Sequence, residues 1–274
     1  MRIETDEICG DRIRYAVATV GTEGPDRPPL LVFNGIGASL ELMVPVIKAL
    51  GEHGIGAMAF DVPGTGGSPT PSVPYRLPRL ARTAHNLLRH LRIANADVLG
   101  VSWGGALAQE FVHQYPSLVR RLVLAATSAG IAMVPGRPSA LLRLISPRRY
   151  LDPDYIARIG AELYGGMYRA NPEALRAHGR FLSPPDKLGY FYQLLATAGW
   201  TSLPWLHSIR QPTLVMMGRD DPIVPPINGR ILAMMIPHAR LRLIEDGHLF
   251  LLSRTAECVK IIAEFLGSEA GHPV

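Results

Sequence analysis

The sequence predicts an α/β fold, with a mostly parallel eight-stranded sheet, helices on both faces of the sheet and an inserted helical segment. Apolar strand-like runs alternate with helical patterns from about residue 29 to residue 127, and again from residue 212 onward. This alternation is typical of parallel strands joined by helices, in which both faces of the sheet are covered. Between the two regions the alternation stops. We therefore expect a core of residues 1–127 and 211–274, and a helical lid of residues 128–210.

The first half of the core contains a hairpin and then three alternating units. Residues 1–20, with a turn at Gly10-Asp11, predict a leading antiparallel hairpin. Four buried strands follow, predicted by the runs PLLVFNG, GIGAMAF, ADVLGVS and VRRLVLAAT. Apolar residues at helical spacing predict the connecting helices SLELMVPVIKALGEHG, RLARTAHNLLRHL and GALAQEFVHQY.

The alternation resumes after the insertion. PTLVMMG and ARLRLIED predict two more strands, and INGRILAMMI predicts the helix between them. A final helix is expected from near Ser253 to about Leu266. The length of 274 residues is enough for one large core with an insertion.

The insertion differs from the core in its composition. It holds ten of the 19 aromatic residues of the chain. It also holds ten basic and five acidic residues, and this excess of five positive charges equals the net charge of the whole chain, +5. The aromatic content suits a helical lid over an apolar site, and it equally suits an ordinary helical subdomain. The charge favours a solvated basic face, with a docking surface for an anionic partner as the alternative. No basic run or recognition motif accompanies the charge, which argues against nucleic acid binding.

The cysteines and the hydropathy pattern indicate the kind of protein to expect. Cys9 and Cys258 are too few and too far apart for a disulfide framework, so we expect two free, buried thiols, and no metal-ligand spacing occurs. The N-terminal stretch MRIETDEICG is charged where a signal peptide would be apolar, and no apolar run approaches the ~18 residues of a membrane span. The expectation is a cytoplasmic protein without a transmembrane segment, metal or cofactor.

The stretch GVSWGG indicates a nucleophile at Ser102. A serine that ends a strand and begins a helix sits on a tight turn, so its flanking residues must be small. A hydroxyl attacks well only when a base removes its proton. The alternative is a packing serine that happens to lie between glycines.

His248 is the candidate base, and Asp221 is the candidate carboxylate that orients it. His248 follows LRLIEDG, and Asp221 lies in GRDDPIVP, so both come just after a predicted strand. Ser102 lies at the same end of its own strand, and ligands bind at this edge of an open α/β sheet. Asp220 is the alternative carboxylate, with solvent exposure as its ordinary explanation.

Two backbone N–H groups are candidates for stabilising the oxyanion. The N–H of Trp103 follows the nucleophile, at the positive end of a helix. The N–H of Ile36 lies in FNGIGA, where Gly35 and Gly37 allow a close approach of the backbone. A plain strand-to-helix turn would explain the two glycines equally well.

With these motifs the chain resembles the α/β-hydrolases, whose D-x-P-G-x-G-x-S loop is matched by FDVPGTGGS. In that loop the resemblance implies that Asp61 shapes a turn. More narrowly, the chain is similar to the intracellular medium-chain-length poly(3-hydroxyalkanoate) depolymerases from about residue 29 to 266. The segments that carry this resemblance are LLVFNGIGASLEL, FDVPGTGGSPTP, GVSWGGALAQEF, LVLAATSAG, SPRRY, GWTSLPWLHSI and DGHLFL. Asn34 stands where many α/β-hydrolases have histidine, and this subgroup is expected to use asparagine there.

The resemblance implies that the chain hydrolyses ester bonds of a stored polyester to 3-hydroxyacid monomers or oligomers, through an acyl-enzyme on Ser102. The expected partner is the surface of polyester granules, with Arg148 and Arg149 on the basic lid face as candidates for docking. Lid aromatics such as Tyr164, Tyr190 and Trp200 are candidates for contact with the alkyl side chains. The alternatives are a small-ester carboxylesterase or lactonase and, less favoured, a non-catalytic binding protein on the same scaffold.

Overall fold

Eight strands form one sheet. The computed structural model describes residues 1–19, 28–171, 175 and 185–267. The strands are β1 Arg2–Ile8, β2 Asp11–Ala18, β3 Leu30–Phe33, β4 Ala57–Phe60, β5 Ala96–Val101, β6 Val119–Ala125, β7 Thr213–Gly218 and β8 Ala239–Ile244. Their order across the sheet is β1-β2-β4-β3-β5-β6-β7-β8. The pairs β1–β2 and β2–β4 are antiparallel, and all other neighbouring strands pair in parallel. The predicted mostly parallel eight-stranded sheet is confirmed.

The leading hairpin turns one residue earlier than the sequence suggested. Ile8 pairs with Asp11, so the two-residue turn consists of Cys9 and Gly10. Both have positive φ, 55° and 81°, as a tight hairpin turn that follows the strand twist requires. This position also corrects the expectation of two buried thiols, because Cys9 is exposed at the turn while Cys258 is buried.

The helices of the core follow the strands in alternation. They are α1 Leu40–Glu52, α2 Leu77–His90, α3 Trp103–Gln114, α9 Ile227–Met235, α10 Phe250–Ser253 and α11 Thr255–Gly267. In helix α2 the apolar residues that recur every three or four positions are buried, and they form the face that packs against the core. They include Leu80, Ala84, Leu87 and Leu88. Two apolar clusters result, one on each face of the sheet.

The segment between β6 and β7 is helical where it is described. It contains α4 Pro138–Leu144, α5 Arg148–Leu151, α6 Pro153–Tyr164, α7 Met167–Ala170 and α8 Lys187–Thr197. Within the described part of this segment, the β-type pairing is a single bridge between Gly130 and Thr201. Residues 172–174 and 176–184 of the expected lid lie outside the described residues.

The order of the strands determines where a site can form. Strand β3 pairs with β4 on one side and with β5 on the other, so the chain changes direction across the sheet between β3 and β5. A crevice opens at such a switch point, outside the carboxyl ends of the strands. The loop after β3 and the turn after β5 therefore lie beside each other at this edge.

Asp61, directly after β4, stabilises the loops at the same edge of the sheet. Its buried carboxylate accepts hydrogen bonds from the N–H groups of Leu40 and Gly67, and from the guanidinium of Arg14. The carboxylate thus joins the start of α1 to the loop after β4, which confirms the turn-shaping role that the sequence predicted for it.

Candidate active site

Ser102 lies on a strained turn between β5 and α3. Its φ and ψ are 54° and −117°, a conformation that a residue with a side chain rarely adopts. Hydrogen bonds on both sides of the residue maintain it. The N–H of Ser102 donates to the Ala125 carbonyl at 2.8 Å, and its own carbonyl accepts from the Thr127 hydroxyl at 2.7 Å.

The small residues after Ser102 allow the turn to lie directly against β3. A Cβ atom on Gly104 would come within 2.2 Å of the Phe33 carbonyl oxygen, so no larger residue fits there without a shift of the backbone. The glycine spacing around Ser102 therefore has a specific steric cause at this position.

His248 connects Ser102 to Asp221 by two hydrogen bonds. Its Nε2 lies 3.0 Å from the Ser102 Oγ, and its Nδ1 lies 2.7 Å from Asp221 Oδ2. The imidazole is 6% exposed and the carboxylate is fully buried. The structure thus brings together the three residues that the sequence singled out, in the order in which a proton can pass from serine to histidine.

Backbone contacts position both the acid and the base. Asp221 Oδ1 accepts from the N–H groups of Ile223 and Val224, which leaves Oδ2 for the imidazole. The N–H of His248 donates to the Tyr164 carbonyl at 2.8 Å, so the last residue of α6 holds the loop that carries the base.

Asp220, the alternative carboxylate, points elsewhere. Its oxygens accept from the Gly166 N–H and from the guanidinium of Arg169, on α7. The carboxylate of Asp220 is 44% exposed. It therefore connects the core to the inserted segment, and Asp221 contacts the histidine.

The loop after β3 lies beside the nucleophile, as its glycines suggested. A Cβ on Gly35 would lie 3.7 Å from the Cβ of Ser102. In the described structure, the hydrogen bonds of this loop use the Ile36 carbonyl and the Gly37 N–H, not the Ile36 N–H. The Trp103 N–H is the first of α3, and the first N–H groups of a helix have no partner within the helix. Among the described residues, neither candidate N–H thus has a hydrogen-bond partner.

Residues of the inserted segment hold the loop after β3, which the sequence had not suggested. The Tyr150 hydroxyl donates to the Ile36 carbonyl at 2.7 Å, and Gln193 Oε1 accepts from the Gly37 N–H at 2.9 Å. The backbone carbonyl of Gln193 also accepts from the Trp103 indole N–H. Gly37 has a φ of 74°, and a Cβ there would lie 2.8 Å from the rings of Tyr150 and Tyr190.

A cavity of about 70 Å³ opens at Ser102 and His248. Apolar side chains from the core and the insertion form most of its wall, among them Met43, Leu144, Ile223 and Leu252. The polar wall residues beyond the serine and the histidine are Arg149, Tyr150 and Tyr164. The site is therefore a narrow apolar space with a few polar groups, which is the usual composition of a pocket for a small organic group.

The three lid aromatics suggested by the sequence occupy different places. Tyr164 lines the cavity. Tyr190 lies one layer behind it, where its ring packs on Gly37 and its hydroxyl accepts from Arg149. The Trp200 indole donates to Glu110 on α3, and Trp200 is not among the residues that line the cavity. This position does not support the expectation that Trp200 contacts a ligand there.

Arg149 corrects the expectation of a basic lid face at Arg148 and Arg149. The side chain of Arg148 is 56% exposed, whereas Arg149 is only 3% exposed and lies in the wall of the cavity. Of the two residues, only Arg148 can therefore contribute to an external surface.

Asp246, like Tyr150 and Gln193, is a residue at the site that the sequence did not indicate. Its buried carboxylate accepts from the N–H groups of Met167 and Gly247, and from the Ser253 hydroxyl. The only signal in the sequence was its position two residues before His248. The contacts of Asp246 fix the loop that carries the base to helix α7.

The described residues contain neither a candidate metal site nor a membrane-spanning helix. No cluster of three or more His, Cys, Asp or Glu side chains there could hold a metal ion. None of the helices in the described ranges combines the length and the apolar character needed to cross a bilayer.

Comparisons with known proteins agree with this fold. The family model of the α/β hydrolase fold matches residues 28–255. A poly(3-hydroxyalkanoate) depolymerase of Ectopseudomonas oleovorans is 50% identical over 98% of this chain and 94% of its own. A 3-oxoadipate enol-lactonase of Acinetobacter baylyi is 28% identical over 89% of this chain and 90% of its own. Among solved structures, an enol-lactonase from Burkholderia xenovorans superposes with a TM-score of 0.81 at 23% identity, covering 97% of this chain and all of that one, which reflects the shared fold.

The chain therefore belongs to the α/β hydrolase family, and within it to the group represented by the poly(3-hydroxyalkanoate) depolymerase with which it shares half its residues. It is an ester hydrolase.

Proposed function

We propose that the protein is a serine hydrolase that cleaves the ester bonds of intracellular, medium-chain-length poly(3-hydroxyalkanoate), and that it releases 3-hydroxyacids through an acyl-enzyme. The observation that carries the proposal is the continuous hydrogen-bonded chain Ser102–His248–Asp221 at the wall of an apolar cavity. The half-identical depolymerase supports the choice of substrate. The reaction requires no metal or cofactor.

In this mechanism His248 removes the proton from the Ser102 hydroxyl as the oxygen attacks the ester carbonyl. The N–H groups of Ile36 and Trp103 stabilise the oxyanion, and Asp221 stabilises the imidazolium. His248 then gives its proton to the departing alkoxide of the next repeat unit. Water, with His248 again as the base, hydrolyses the acyl-enzyme and releases the acid.

Residues 128–210 serve as a lid in this proposal. The cavity of about 70 Å³ is much smaller than the roughly 300–1,000 Å³ of typical ligand pockets. A polyester chain therefore enters only when the lid helices move away from the core. When the lid helices return, Tyr150 and Gln193 re-form their hydrogen bonds to the loop after β3, which carries the Ile36 N–H. Closure therefore excludes water from the site and positions the oxyanion donor in the same step.

The lid also provides the surface that we propose binds the polyester granule. Large apolar side chains are exposed on or beside its helices: Leu142 (67%), Ile145 (62%), Leu188 (49%) and Phe191 (52%). An alkyl-rich polymer surface is an apolar partner, so apolar contacts replace the two-arginine docking site suggested by the sequence. The protein would thus act in the cytoplasm, at the granule, with no nucleic acid as a partner.

A small-ester carboxylesterase or lactonase is the second candidate function. The small cavity and the 28% identical enol-lactonase support it. The two candidates differ in their polymer activity. The decisive comparison is the release of 3-hydroxyoctanoate from amorphous polymer against turnover of 4-nitrophenyl octanoate. Efficient turnover of the soluble ester without release from the polymer would favour the second candidate.

A non-catalytic protein on this scaffold, the third possibility, would leave Ser102 unreactive. A fluorophosphonate probe should label Ser102 in the native protein, and the Ser102→Ala variant should lose labelling together with about 10⁴- to 10⁶-fold in kcat. Unlabelled native protein, or a variant with near-normal esterase activity, would show that the assignment of the nucleophile is wrong.

A further inference from the structure

Arg149 is a buried cation in the wall of the catalytic cavity. It is 3% exposed and lies in the same wall as Ser102, Ile36 and His248. Its Nη1 donates to the Tyr190 hydroxyl at 2.8 Å, and its Nη2 lies 3.4 Å from the Ile36 carbonyl oxygen. The guanidinium also lies over the ring of Tyr150, 4.6 Å from its centroid. These contacts hold the charge at one fixed place in the pocket.

The partners of Arg149 are neutral. Burial raises the pKa of both Tyr164 and Tyr190 above the usual value near 10, so both hydroxyls keep their protons at neutral pH. Among the residues that the structure describes, no carboxylate forms an ion pair with Arg149, although other arginines of the chain, such as Arg14 and Arg120, pair with aspartate. A buried charge without a counter-charge is costly. Its retention beside the nucleophile suggests that the counter-charge arrives with the ligand.

We propose that Arg149 binds the terminal carboxylate of the polyester chain, so that the enzyme removes single 3-hydroxyacids from the carboxyl end. The inference rests on the proposed polyester hydrolysis and specifies its direction. A guanidinium is planar and matches a carboxylate through two parallel hydrogen bonds, and it remains charged at every relevant pH. The other end of such a polyester is a neutral hydroxyl group, which carries no negative charge for Arg149 to bind.

The distances agree with one repeat unit between the two groups. The Arg149 Nη2 lies 3.4 Å from the Ile36 carbonyl oxygen, and the N–H of the same residue would hold the oxyanion. Because the backbone N and O atoms of one residue are at most about 3.6 Å apart, the guanidinium lies within about 10 Å of that oxyanion. In a 3-hydroxyacid ester the terminal carboxyl carbon is four covalent bonds from the scissile carbonyl carbon, or about 5 Å. With a C–O bond at each end and a carboxylate oxygen about 3 Å from the guanidinium, one extended repeat unit spans about 10 Å. A second extended unit would add about 5 Å and exceed this limit.

The reaction then releases one monomer in each cycle. Ser102 attacks the ester carbonyl that precedes the last unit, and the bond from that carbonyl to the 3-oxygen breaks. The departing oxygen takes the proton from His248, so the last unit leaves as a 3-hydroxyacid whose carboxylate is bound by Arg149. Water then hydrolyses the acyl-enzyme, and the shortened chain carries a new carboxylate for the next cycle.

The test compares two soluble dimers of 3-hydroxyoctanoate, one with a free carboxylate and one with that carboxyl group as its methyl ester. For cleavage of the internal ester, the native enzyme should show a kcat/KM at least about tenfold higher for the free acid, which corresponds to about 1.4 kcal/mol. In Arg149→Gln this ratio should fall to near one. The exposed neighbour provides the matched control, and Arg148→Gln should keep the native ratio.

Because the ratio compares two substrates on one variant, it is insensitive to a general loss of activity through the Ile36 contact. A native ratio near one, or a ratio unchanged in Arg149→Gln, would overturn the inference. If Arg149→Gln does not fold, the native enzyme still provides a test. Free 3-hydroxyoctanoate should inhibit it competitively at a concentration at least about tenfold lower than 3-hydroxyoctanamide, an uncharged analogue without an ester bond, and equal inhibition would overturn the inference.

These results also separate this inference from the proposed function. Cleavage of both dimers with equal efficiency, together with release of monomer from polymer, would leave polyester hydrolysis standing and remove only the role of Arg149. Failure to release any 3-hydroxyacid from dimer or polymer would instead overturn the proposed function, and the inference with it.

Discussion

The side-chain carbonyl of Gln193 accepts a hydrogen bond from the Gly37 N–H at 2.9 Å, and so joins helix α8 of the inserted segment to the loop that follows β3. The same residue accepts the indole N–H of Trp103 through its backbone carbonyl. One residue of the inserted segment therefore contacts both backbone segments that would supply oxyanion donors in the proposed mechanism. Gln193 is thus a candidate for positioning these segments relative to each other.

Gln193→Leu should reduce kcat for a soluble 4-nitrophenyl ester by about tenfold, with a smaller change in KM. Complete removal of an oxyanion donor costs about 10²- to 10³-fold, and Gln193 only positions such a donor, so a smaller effect is expected. Gln211→Leu is a control of the same chemical type, since Gln211 contacts the Pro116 carbonyl away from the cavity. A tenfold rise in KM with kcat unchanged would show that Gln193 contributes only to binding.

Asp221→Asn should reduce kcat by about 10⁴-fold on the same soluble ester. The amide cannot provide the negative charge that stabilises the imidazolium, and its NH₂ group would face either the imidazole Nδ1–H or the N–H groups of Ile223 and Val224. The adjacent Asp220→Asn is the control, because that carboxylate pairs with Arg169 at the surface. It should retain kcat within about threefold. Equal losses in the two variants would contradict the assignment of Asp221.

The fold and the relative positions of Ser102, Asp221 and His248 were predictable from the sequence for one physical reason. Buried strands have distinct apolar runs, and the carboxyl ends of parallel strands share one edge of the sheet. Three reactive residues that each follow such a run must therefore lie near that edge. The sequence favoured Asp221 over Asp220, and the structure distinguishes the two because the turn between β7 and α9 directs the Asp221 carboxylate to His248 and leaves Asp220 at the surface.

The contributions of the lid could not be predicted in this way. Arg148 and Arg149 are adjacent and chemically identical, yet one is exposed and the other buried, because α5 is too short to show an apolar period. Gln193 and Trp200 belong to segments whose orientation depends on packing against the core. Their partners, Gly37 and Glu110, are far away in sequence.

Leu142→Ser combined with Ile145→Ser should weaken binding to polyester granules by at least about fivefold while turnover of a soluble ester stays near the native value. Both side chains are more than 60% exposed, so their loss changes the apolar surface and leaves the core intact. The measurement is co-sedimentation with granules beside a soluble-ester assay. Met234→Ser, 80% exposed on α9 of the core, is the control and should bind as the native protein does. Unchanged sedimentation of the double variant would exclude this lid face as the docking surface.

Glu41→Gln should lower the melting temperature at pH 7, and its effect should disappear in acid. The Arg14 guanidinium, assisted by the Ser39 hydroxyl, lowers the pKa of Glu41 from 4.5 to about 2. A carboxyl whose pKa is lower in the folded than in the unfolded state stabilises the fold above the unfolded value and loses that contribution as pH falls through the folded one. The difference between the native protein and Glu41→Gln should therefore be constant above about pH 5 and shrink between pH 4.5 and about 2. Thermal unfolding across that range measures it.

Glu257→Gln is the control. It removes the exposed ion pair between Glu257 on α11 and Arg254, which precedes that helix, and should have little effect at any pH. A difference for Glu41→Gln that stays constant or grows below pH 4.5 would show that its contribution to stability is not electrostatic.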